Sequence, residues 1–577
     1  MNILGVAFLS DASAVVIRDG KLAAGVSEER LNRTKLWHGV PQGAIKAVLN
    51  IAGLELKDID LVATHGEAPS VPDPKPFEEK KSHIREADLT EDVRDAQIAH
   101  IQSRFEHERM VLGERTPAYL AEIYSLGRPV KIYPHHKAHA AGAYFGSGWN
   151  ECFVLTADGW GEDASATLWE VDNGELKIIS RSHTFDSLGY FYGSVTKALG
   201  FTPHRHEGKV LGLAAYCQNP RSYLKIREMI DYDPQNQSFI GRMEKGLYAP
   251  RFENQHLKEF VADFPREDIA ASTQRALEEV VCELVSGLGS GKFRLALAGG
   301  VFANVKLNQR IREIPAVSEV YVFPNMGDGG LSAGAAWLAY SETNSGPPAA
   351  INGVLLGHSP NDSEIDSALS QSGLRFNRCP GIEVRIAELL AEGNVVARCS
   401  GPMEYGPRAL GNRSIFFHAG DKTVNDWLNN QLQRSEFMPF APATLAEYAH
   451  LYFKDIEKSR NASNYMTITF DCTERMLNEA PAAVHVDGTA RPQIVSRERY
   501  PEFHKILSAY HDLTGFSNII NTSFNMHEEP IVCTASDAVR AFRDSKLPYM
   551  ALGNYLVEGV ETISSSVEHK GLLSKKE

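Results

Sequence analysis

Cysteine is scarce and unpaired in this chain. Its seven cysteines (152, 217, 282, 379, 399, 472 and 533) are odd in number, scattered, and never spaced Cys-x-x-Cys. That argues against a disulfide framework and a zinc–thiolate site, and for a reducing compartment, the cytoplasm. Long apolar runs are missing too. With no run long enough to span a bilayer, neither a membrane helix nor a membrane partner is expected. The first residues, Met-Asn-Ile-Leu-Gly-Val-Ala-Phe, lack a basic segment and soon meet Asp11, which reads as a strand and not as a signal peptide. Positive charge is also short: 59 Lys and Arg stand against 73 Asp and Glu, a net charge of −14. A chain whose main substrate is tRNA or DNA usually carries a basic face, so a small-molecule substrate is expected, with no nucleic acid partner. What is there, 577 residues of which 43% are hydrophobic, suffices for two or more separate cores.

The chain contains an internal echo. Residues 3–29 give apolar strand, Ser10-Asp11-Ala12-Ser13-Ala14, apolar strand, an Asp19-Gly20 turn and a third strand. Residues 152–180 give apolar strand, Glu162-Asp163-Ala164-Ser165-Ala166, apolar strand, an Asp172-Asn173-Gly174 turn and a third strand. Asp-Gly and Asn-Gly favour tight hairpins, so both copies form a β-meander, and their recurrence implies a duplicated domain with a cleft between its halves. Helical spacing marks Thr116–Ile123 and Ala270–Leu288. Residues 68–95, rich in proline and then in mixed charge, are expected to form a surface insertion near the substrate. The stretch Ser341–Ala350 is the best linker, which sets domains at 1–345 and 351–577, and Ser-Lys-Lys-Glu at the end reads as a solvated tail.

Chemistry concentrates near residue 135. His135 and His139, four apart, share one face of a helix, and Asp158 ends the apolar run from Cys152 to Thr156. Two imidazoles and a carboxylate make a mixed site for a divalent transition metal. A pair of this kind standing alone is more often two surface or capping histidines, so its neighbours matter. Leu295–Asn304 is a strand running into Gly299-Gly300 and a helix start near Asn304, where backbone NH groups can approach a phosphate or adenosine. Phe323–Ala336 repeats the design, with Gly327 and with Asp328 at the strand end. Glu207 and Lys209 set a carboxylate and an ammonium beside a tightly packed helix. Acidic strand ends and glycine turns in a duplicated α/β domain are what a nucleotide-binding fold of the actin, hexokinase and heat-shock-chaperone type requires.

Here the residues become recognisable. Over essentially its whole length the chain resembles the O-carbamoyltransferases that act on nodulation factors, cephalosporins and aminoglycoside antibiotics. Its N-terminal part is also similar to the tRNA threonylcarbamoyladenosine-forming ATPase and to the matching domain of the hydrogenase-maturation carbamoyltransferase. The resemblance implies a duplicated ribonuclease-H-like N-terminal domain and a C-terminal YrdC-like α/β domain. It also implies iron, Fe(II) or a similar divalent metal, held against nucleotide phosphates by His135, His139, Asp158 and Asp328. Gly299, Gly300, Asn304 and Gly327 become nucleotide contacts, and His139, Asp11, Lys209 and Glu207 the catalytic set.

The second half carries the more specific signature. Gly401-Pro-Met-Glu-Tyr-Gly-Pro-Arg-Ala-Leu-Gly-Asn-Arg-Ser414 is similar to the family's hallmark stretch, followed by Arg434–Pro442, His485–Gln493 and Asn521–Asn525. Four arginines, 408, 413, 434 and 491, stand amid apolar segments and are costly to bury unless they meet anions, for which guanidinium forks suit phosphate. Structural bridges to Glu404, Glu436 and Asp487 are the alternative. By resemblance, this domain binds ATP and carbamoyl phosphate through those arginines with His485, Thr489, Ser523 and Asn525, and forms carbamoyl-adenylate.

Two departures stand out. Relatives commonly carry His-Asp-x-Ser-Ala near the N-terminus, where this chain has Ser10, so an acceptor base would come from His38, His136 or a carboxylate. The Phe-Arg-Pro version of the segment around residue 434 is replaced by Gln433 and Met438, leaving Arg434 as the phosphate contact. The expected enzyme passes a carbamoyl group from carbamoyl phosphate, via carbamoyl-adenylate, to a hydroxyl of a small metabolite or natural product. Mg2+ is admissible beside the ATP, and a homodimer as the assembly. A sugar-kinase-like phosphotransferase on the same N-terminal fold leaves the arginine segments and the His pair unexplained, and a nucleotide-dependent binding module would not need carbamoyl phosphate.

Overall fold

The computed structural model describes residues 1–67, 71–289, 291–344, 348–433 and 437–559. The chain divides into two compact units. One comprises Met1–Ala23, His38–Ile45 and Gly53–Ile351, the other Ala24–Trp37, Lys46–Ala52 and Asn352–Glu577. Two short N-terminal segments thus belong with the C-terminal half of the chain, and the last crossing between units falls after Ile351. Of the linker stretch 341–350, the helix Leu331–Thr343 takes the beginning, and residues 345–347 lie outside the described residues, as does the C-terminal tail.

The first unit is built on two sheets of the same design. Strands β1 (Asn2–Ala7), β2 (Ser13–Arg18), β3 (Lys21–Ser27), β4 (Leu61–His65) and β5 (Val130–Tyr133) lie in the order β3-β2-β1-β4-β5. Strands β6 (Cys152–Gly161), β7 (Ala164–Asp172) and β8 (Glu175–His183) follow, then a small hairpin of β9 (Ile230–Asp233) and β10 (Ser238–Gly241), then β11 (Phe293–Ala298) and β12 (Val317–Val322). The second sheet runs β12-β11-β6-β7-β8, the first order read in reverse. In each, the first strand pairs antiparallel with the second and parallel with the fourth, and the fourth is parallel to the fifth. Two copies of this five-strand pattern make a duplicated ribonuclease-H-like domain. Asp19-Gly20 and Asn173-Gly174 all take positive φ, the geometry of the two-residue hairpin that matches strand twist.

Each copy places a helix after its fifth strand, His135–Ser147 in the first and Leu331–Thr343 in the second. Small residues let them touch. A Cβ on Gly334 would fall 1.8 Å from the carbonyl oxygen of Ala138, and one on Gly5 would fall 2.1 Å from that of Ser332. Residues 71–95, expected as a surface insertion, are tied in instead: helix Pro74–Glu86 buries Phe77 and Ile84, and Phe77 packs on Phe105 and Phe185. Its charged residues cover the outer face of an amphipathic helix. Residues 68–70 lie outside the described residues.

The second unit holds an eight-stranded mixed sheet. Its strands are β13 (Arg375–Arg378), β14 (Val396–Cys399), β15 (Arg413–His418), β16 (Ala441–Leu445), β19 (Gln493–Val495), β20 (Asn518–Ser523), β21 (Tyr549–Leu552) and β22 (Tyr555–Glu558). They run β13-β22-β21-β14-β15-β20-β16-β19, while β17 (Phe470–Asp471) and β18 (Thr489–Ala490) form a separate pair. Ile415, Phe417, Ile520, Phe542 and Met550 centre its core. Among the described residues, no helix is long and apolar enough to cross a membrane.

Candidate functional site: an acid–imidazole centre

Helix His135–Ser147 presents His135 and His139 one turn apart, as the four-residue spacing dictates. Asp158 reaches them from β6. Pairing of β6 with β7 shifts register between Ala157 and Gly161, a bulge of the kind that re-aims a side chain. Asp328 stands not at the end of β12, as expected, but six residues past it, at the head of the short turn Asp328–Gly330 that opens helix Leu331–Thr343. One ligand atom from each of the four residues lies within 4.8 Å of all the others. His135 Nε2 is 2.8 Å from Asp158 Oδ2 and 3.8 Å from Asp328 Oδ1, and His139 Nε2 is 3.4 and 3.5 Å from the same oxygens.

The electrostatics are those of a cation site. Burial disfavours both carboxylates, yet Asp158 and Asp328 are held below the ordinary range by the surrounding imidazoles. Burial likewise opposes a charged His135, but Asp158 first, then Asp328 and Glu162, raise it to about 9. His139 Nε2 and Asp158 Oδ1 are buried with no hydrogen-bond partner. Orphaned buried polar atoms are costly, and a divalent ion between these four groups removes that cost, so the donor set fits a metal.

Residues the sequence reading did not single out complete the surroundings. Glu162 accepts from the backbone NH of His135 at 3.0 and 3.1 Å, fixing the helix start, and burial pushes its carboxyl up to about 7. His65, closing β4, stacks on Phe8 at 4.4 Å and meets the His135 ring edge-on at 5.6 Å. Burial holds it down to about 3. A polar residue ending an apolar strand, as Asp158 also does, was the available signal. His136, one candidate base, is spent: Nδ1 meets Thr156 Oγ1 at 2.8 Å, Nε2 meets the carbonyl of Ala164 at 3.1 Å, and burial lowers it to about 4. His38 is exposed, its proton disfavoured by partial desolvation first and then by His204, while Asp328 favours it.

The remaining expected residues of this unit divide. Asp11 stands beside the Asp328 turn: a Cβ on Gly329 would fall 2.8 Å from its Oδ2, and one on Gly327 3.9 Å. Gly299 takes φ +100° and lies so close to β6 that a Cβ would meet the Ala157 oxygen at 2.2 Å, whereas a Cβ on Gly300 would meet open space. Asn304 is engaged within the fold, its Oδ1 capping Leu307 and its Nδ2 donating one hydrogen to Gln274. Glu207 begins helix Glu207–Ala214 and accepts from the NH of His204 at 2.6 Å, and Lys209 is buried two residues on.

In the second unit the register gathers the signature segments at one end of the strands β15, β20, β16 and β19. Ser414 pairs with Ser523, Ala441 with Asn521, and Ala443 with Gln493, so Arg413, Ser523 and the approach through Arg491 converge there. Arg413 corrects the phosphate expectation. It is fully buried, and all three guanidinium nitrogens donate to carbonyl oxygens of His358, Ser400, Gly401, Asn412 and Cys533, leaving no donor for an anion. Glu404 serves no arginine bridge: its Oε1 accepts from the NH groups of Leu410, Asn412 and Arg413. Asn525 donates to the carbonyls of Met526 and Glu529, so its amide closes its own loop. Asp487 accepts from Thr489 through both backbone and hydroxyl, with His485 Nδ1 3.5 Å away. Arg408 is half-buried in the hallmark loop, and Arg434 lies outside the described residues. Gln493 and Asn521, not anticipated, bond each other at 2.7 Å and hold the carbonyls of Leu410 and Ala409.

A duplicated ribonuclease-H-like unit bearing a four-residue acid–imidazole centre, followed by a mixed α/β unit, is the fold class foreseen from the sequence. Residues 2–337 match the family model described as carbamoyltransferase N-terminus, and residues 387–559 the one described as carbamoyltransferase C-terminus. The chain belongs to the carbamoyltransferase family and is a carbamoyltransferase. It is 31% identical over 568 residues to the nodulation protein NolNO of Sinorhizobium fredii, covering 96% of this chain and 79% of that one. The uncharacterized protein MJ1058 of Methanocaldococcus jannaschii is 33% identical over 462 residues, 75% and 74% of the two chains. Nodulation protein U of Rhizobium tropici is 25% identical over 561 residues, 91% of each.

Proposed function

We propose that this carbamoyltransferase is ATP-dependent and delivers its carbamoyl group to a hydroxyl of a small metabolite through carbamoyl-adenylate. The observation that carries the reading is the match of both family models, one after the other, over residues 2–337 and 387–559. In the first half-reaction carbamoyl phosphate, ATP and water give carbamoyl-adenylate, pyrophosphate and phosphate. In the second, the acceptor oxygen attacks the carbamoyl carbon, AMP leaves, and the hydroxyl proton passes to a base. The second unit performs activation, with Arg408, Arg434 and Arg491 as the anion contacts once Arg413 is set aside as scaffold. The first unit performs transfer.

His135, His139, Asp158 and Asp328 hold the divalent ion, Fe(II) or one like it, which when bound supplies positive charge against the nucleotide phosphate. Glu162 keeps the helix carrying both histidines at its angle, and the buried, stacked rings of Phe8 and His65 exclude water from one side. An alcohol is a weak nucleophile at neutral pH, so a base within hydrogen-bond reach is required. Asp11 beside the Asp328 turn and His38 are the two candidates on that flank, His136 being spent. Polyols are the acceptors to try. The test supplies ATP, carbamoyl phosphate and such acceptors, and follows pyrophosphate, AMP and the mass gain of one carbamoyl in place of hydrogen. Turnover without carbamoyl phosphate, or transfer of phosphate to the acceptor, overturns it.

A further inference from the structure

Next to the acid–imidazole centre the first unit concentrates positive charge that the reaction described above does not use. Helix Glu91–Met110 continues into the wide turn Val111–Arg115, and along it His100, Arg104 and His107 follow at spacings of four and three, on one face. The wide π-type turn before Arg115 is a form frequent at functional sites. This face meets Trp160, two residues beyond the ligand Asp158. The Arg104 guanidinium lies 4.2 Å over the Trp160 ring and 5.0 Å from the Tyr190 ring, and the His107 ring stands edge-on to Trp160 at 5.8 Å.

Arg104 is 2% exposed. Its Nε is bonded to Glu108 at 2.7 Å and its Nη1 to the Tyr190 hydroxyl at 2.6 Å, while Nη2 has no partner. Glu108 therefore answers Arg104 and leaves nothing for the others. Arg251 donates to the Ser103 hydroxyl at 2.6 Å, and among the described residues neither Arg251 nor Arg115 has a carboxylate in ion-pair range. Their field is felt around them: burial first, then Arg104, Arg115 and Arg251 hold His107 down to about 4, and burial, Arg251 and His256 do the same to His100. Arg115 also disfavours the proton on His38, which Asp328 favours, so the charge of the patch is felt on the flank of the transfer centre. In a chain of net charge −14 such a local excess selects for anions and raises their concentration at the site.

We propose that Trp160 with Arg104, Arg115 and Arg251 forms an anion-recognition subsite, and that the hydroxyl acceptor is a sugar or polyol bearing a phosphate or carboxylate. Trp160, partly exposed, supplies an aromatic surface for the acceptor's ring or chain, stiffened from below by Arg104. Arg251 and Arg115 hold the anionic group, and that hold turns the free hydroxyl towards the metal centre. This inference rests on the carbamoyl-transfer reading, which pyrophosphate release from ATP and carbamoyl phosphate tests separately without any acceptor.

The experiment is calorimetric titration of the full chain, saturated with β,γ-imido-ATP, with glucose, glucose 6-phosphate and glucuronate. At least one anionic sugar should bind at least about tenfold more tightly than glucose, the scale of one charge-assisted contact. In the Arg115→Gln/Arg251→Gln protein that advantage should fall to about threefold or less. Arg115→Gln alone, at an exposed side chain, guards against a folding defect and should remove part of it. Preference for the phosphate alone, or for the carboxylate alone, tells which anion the acceptor carries. Equal binding of all three sugars, an advantage that survives both substitutions, or one that vanishes only because the ATP analogue occupies the anion site, overturns the proposal.

Discussion

The acid–imidazole cluster of the first unit and the arginine loop of the second both take charged side chains out of water, and they meet the cost in opposite ways. Around His139 and Asp158 two buried polar atoms are left without a bond, and four ligand atoms crowd together. Around Arg413 every nitrogen is bonded to a carbonyl oxygen of its own unit. Charge left over in a buried site marks a place prepared for something else, whereas charge fully answered by backbone is scaffold. Residue type alone does not separate the two cases. An arginine flanked by apolar segments has the same appearance in both.

The largest expected effect breaks the first side of that comparison. His139→Ala removes an imidazole from the proposed metal shell, so metal per chain should fall from about one to near zero. Transfer should drop by more than the roughly 10–100-fold typical of outer-shell partners, while the pyrophosphate-releasing half-reaction continues. Metal analysis and the two half-reactions check it, and retention of metal and transfer would remove His139 from the site.

Next comes the scaffold side. Arg413→Ala should lower stability by about 3–5 kcal/mol, because it strands a nest of buried carbonyls, and Arg413→Lys should not rescue a geometry that needs a planar fork. Chemical denaturation measures this. A fully stable Arg413→Ala protein that fails only in carbamoyl phosphate-dependent turnover would return Arg413 to the phosphate site.

Much of the first unit was legible because its signals are local. Asp-Gly and Asn-Gly turns with apolar runs on both sides are enough to define a meander, and the recurrence about 150 residues on defines the duplication. His135, His139 and Asp158 were legible for the same reason, and Asp328 through the family's pattern. The bulge that turns Asp158 into place was not, since it arises from pairing with β7. Glu162 and His65 were missed because each serves a helix or ring distant in sequence. The proline cluster near residue 72 obscured the Phe77 and Ile84 stripe, which shows as an amphipathic helix only when packed on Phe105 and Phe185. Arg413 was misjudged because five carbonyl-bearing positions as far apart as 358 and 533 converge on it only in the folded chain.

Smaller effects sharpen the comparison. Glu404→Gln keeps an acceptor for the NH groups of Leu410, Asn412 and Arg413 but loses its charge, and should cost about 1 kcal/mol, less than Arg413→Ala in the same denaturation series. Smallest is Ser10→Ala, which should slow transfer about tenfold or less, well short of the 10²–10⁴-fold loss of a general base. A thousandfold loss in a folded protein that still releases pyrophosphate would make Ser10 part of the acceptor chemistry.

The close crossing of helices His135–Ser147 and Leu331–Thr343 at Ala138 and Gly334 has a consequence for how the duplicated unit came to be and stays whole. These are the same element of two ancestral repeats, and the four ligands are shared out between them: two histidines from the first, two aspartates from the second. Neither repeat owns a complete site. An ion held there therefore works as a clasp, adding its binding free energy only to the joined state and none to either repeat alone. If the proposed ion is the clasp, its removal should show first as a parting of the two repeats, before either one melts.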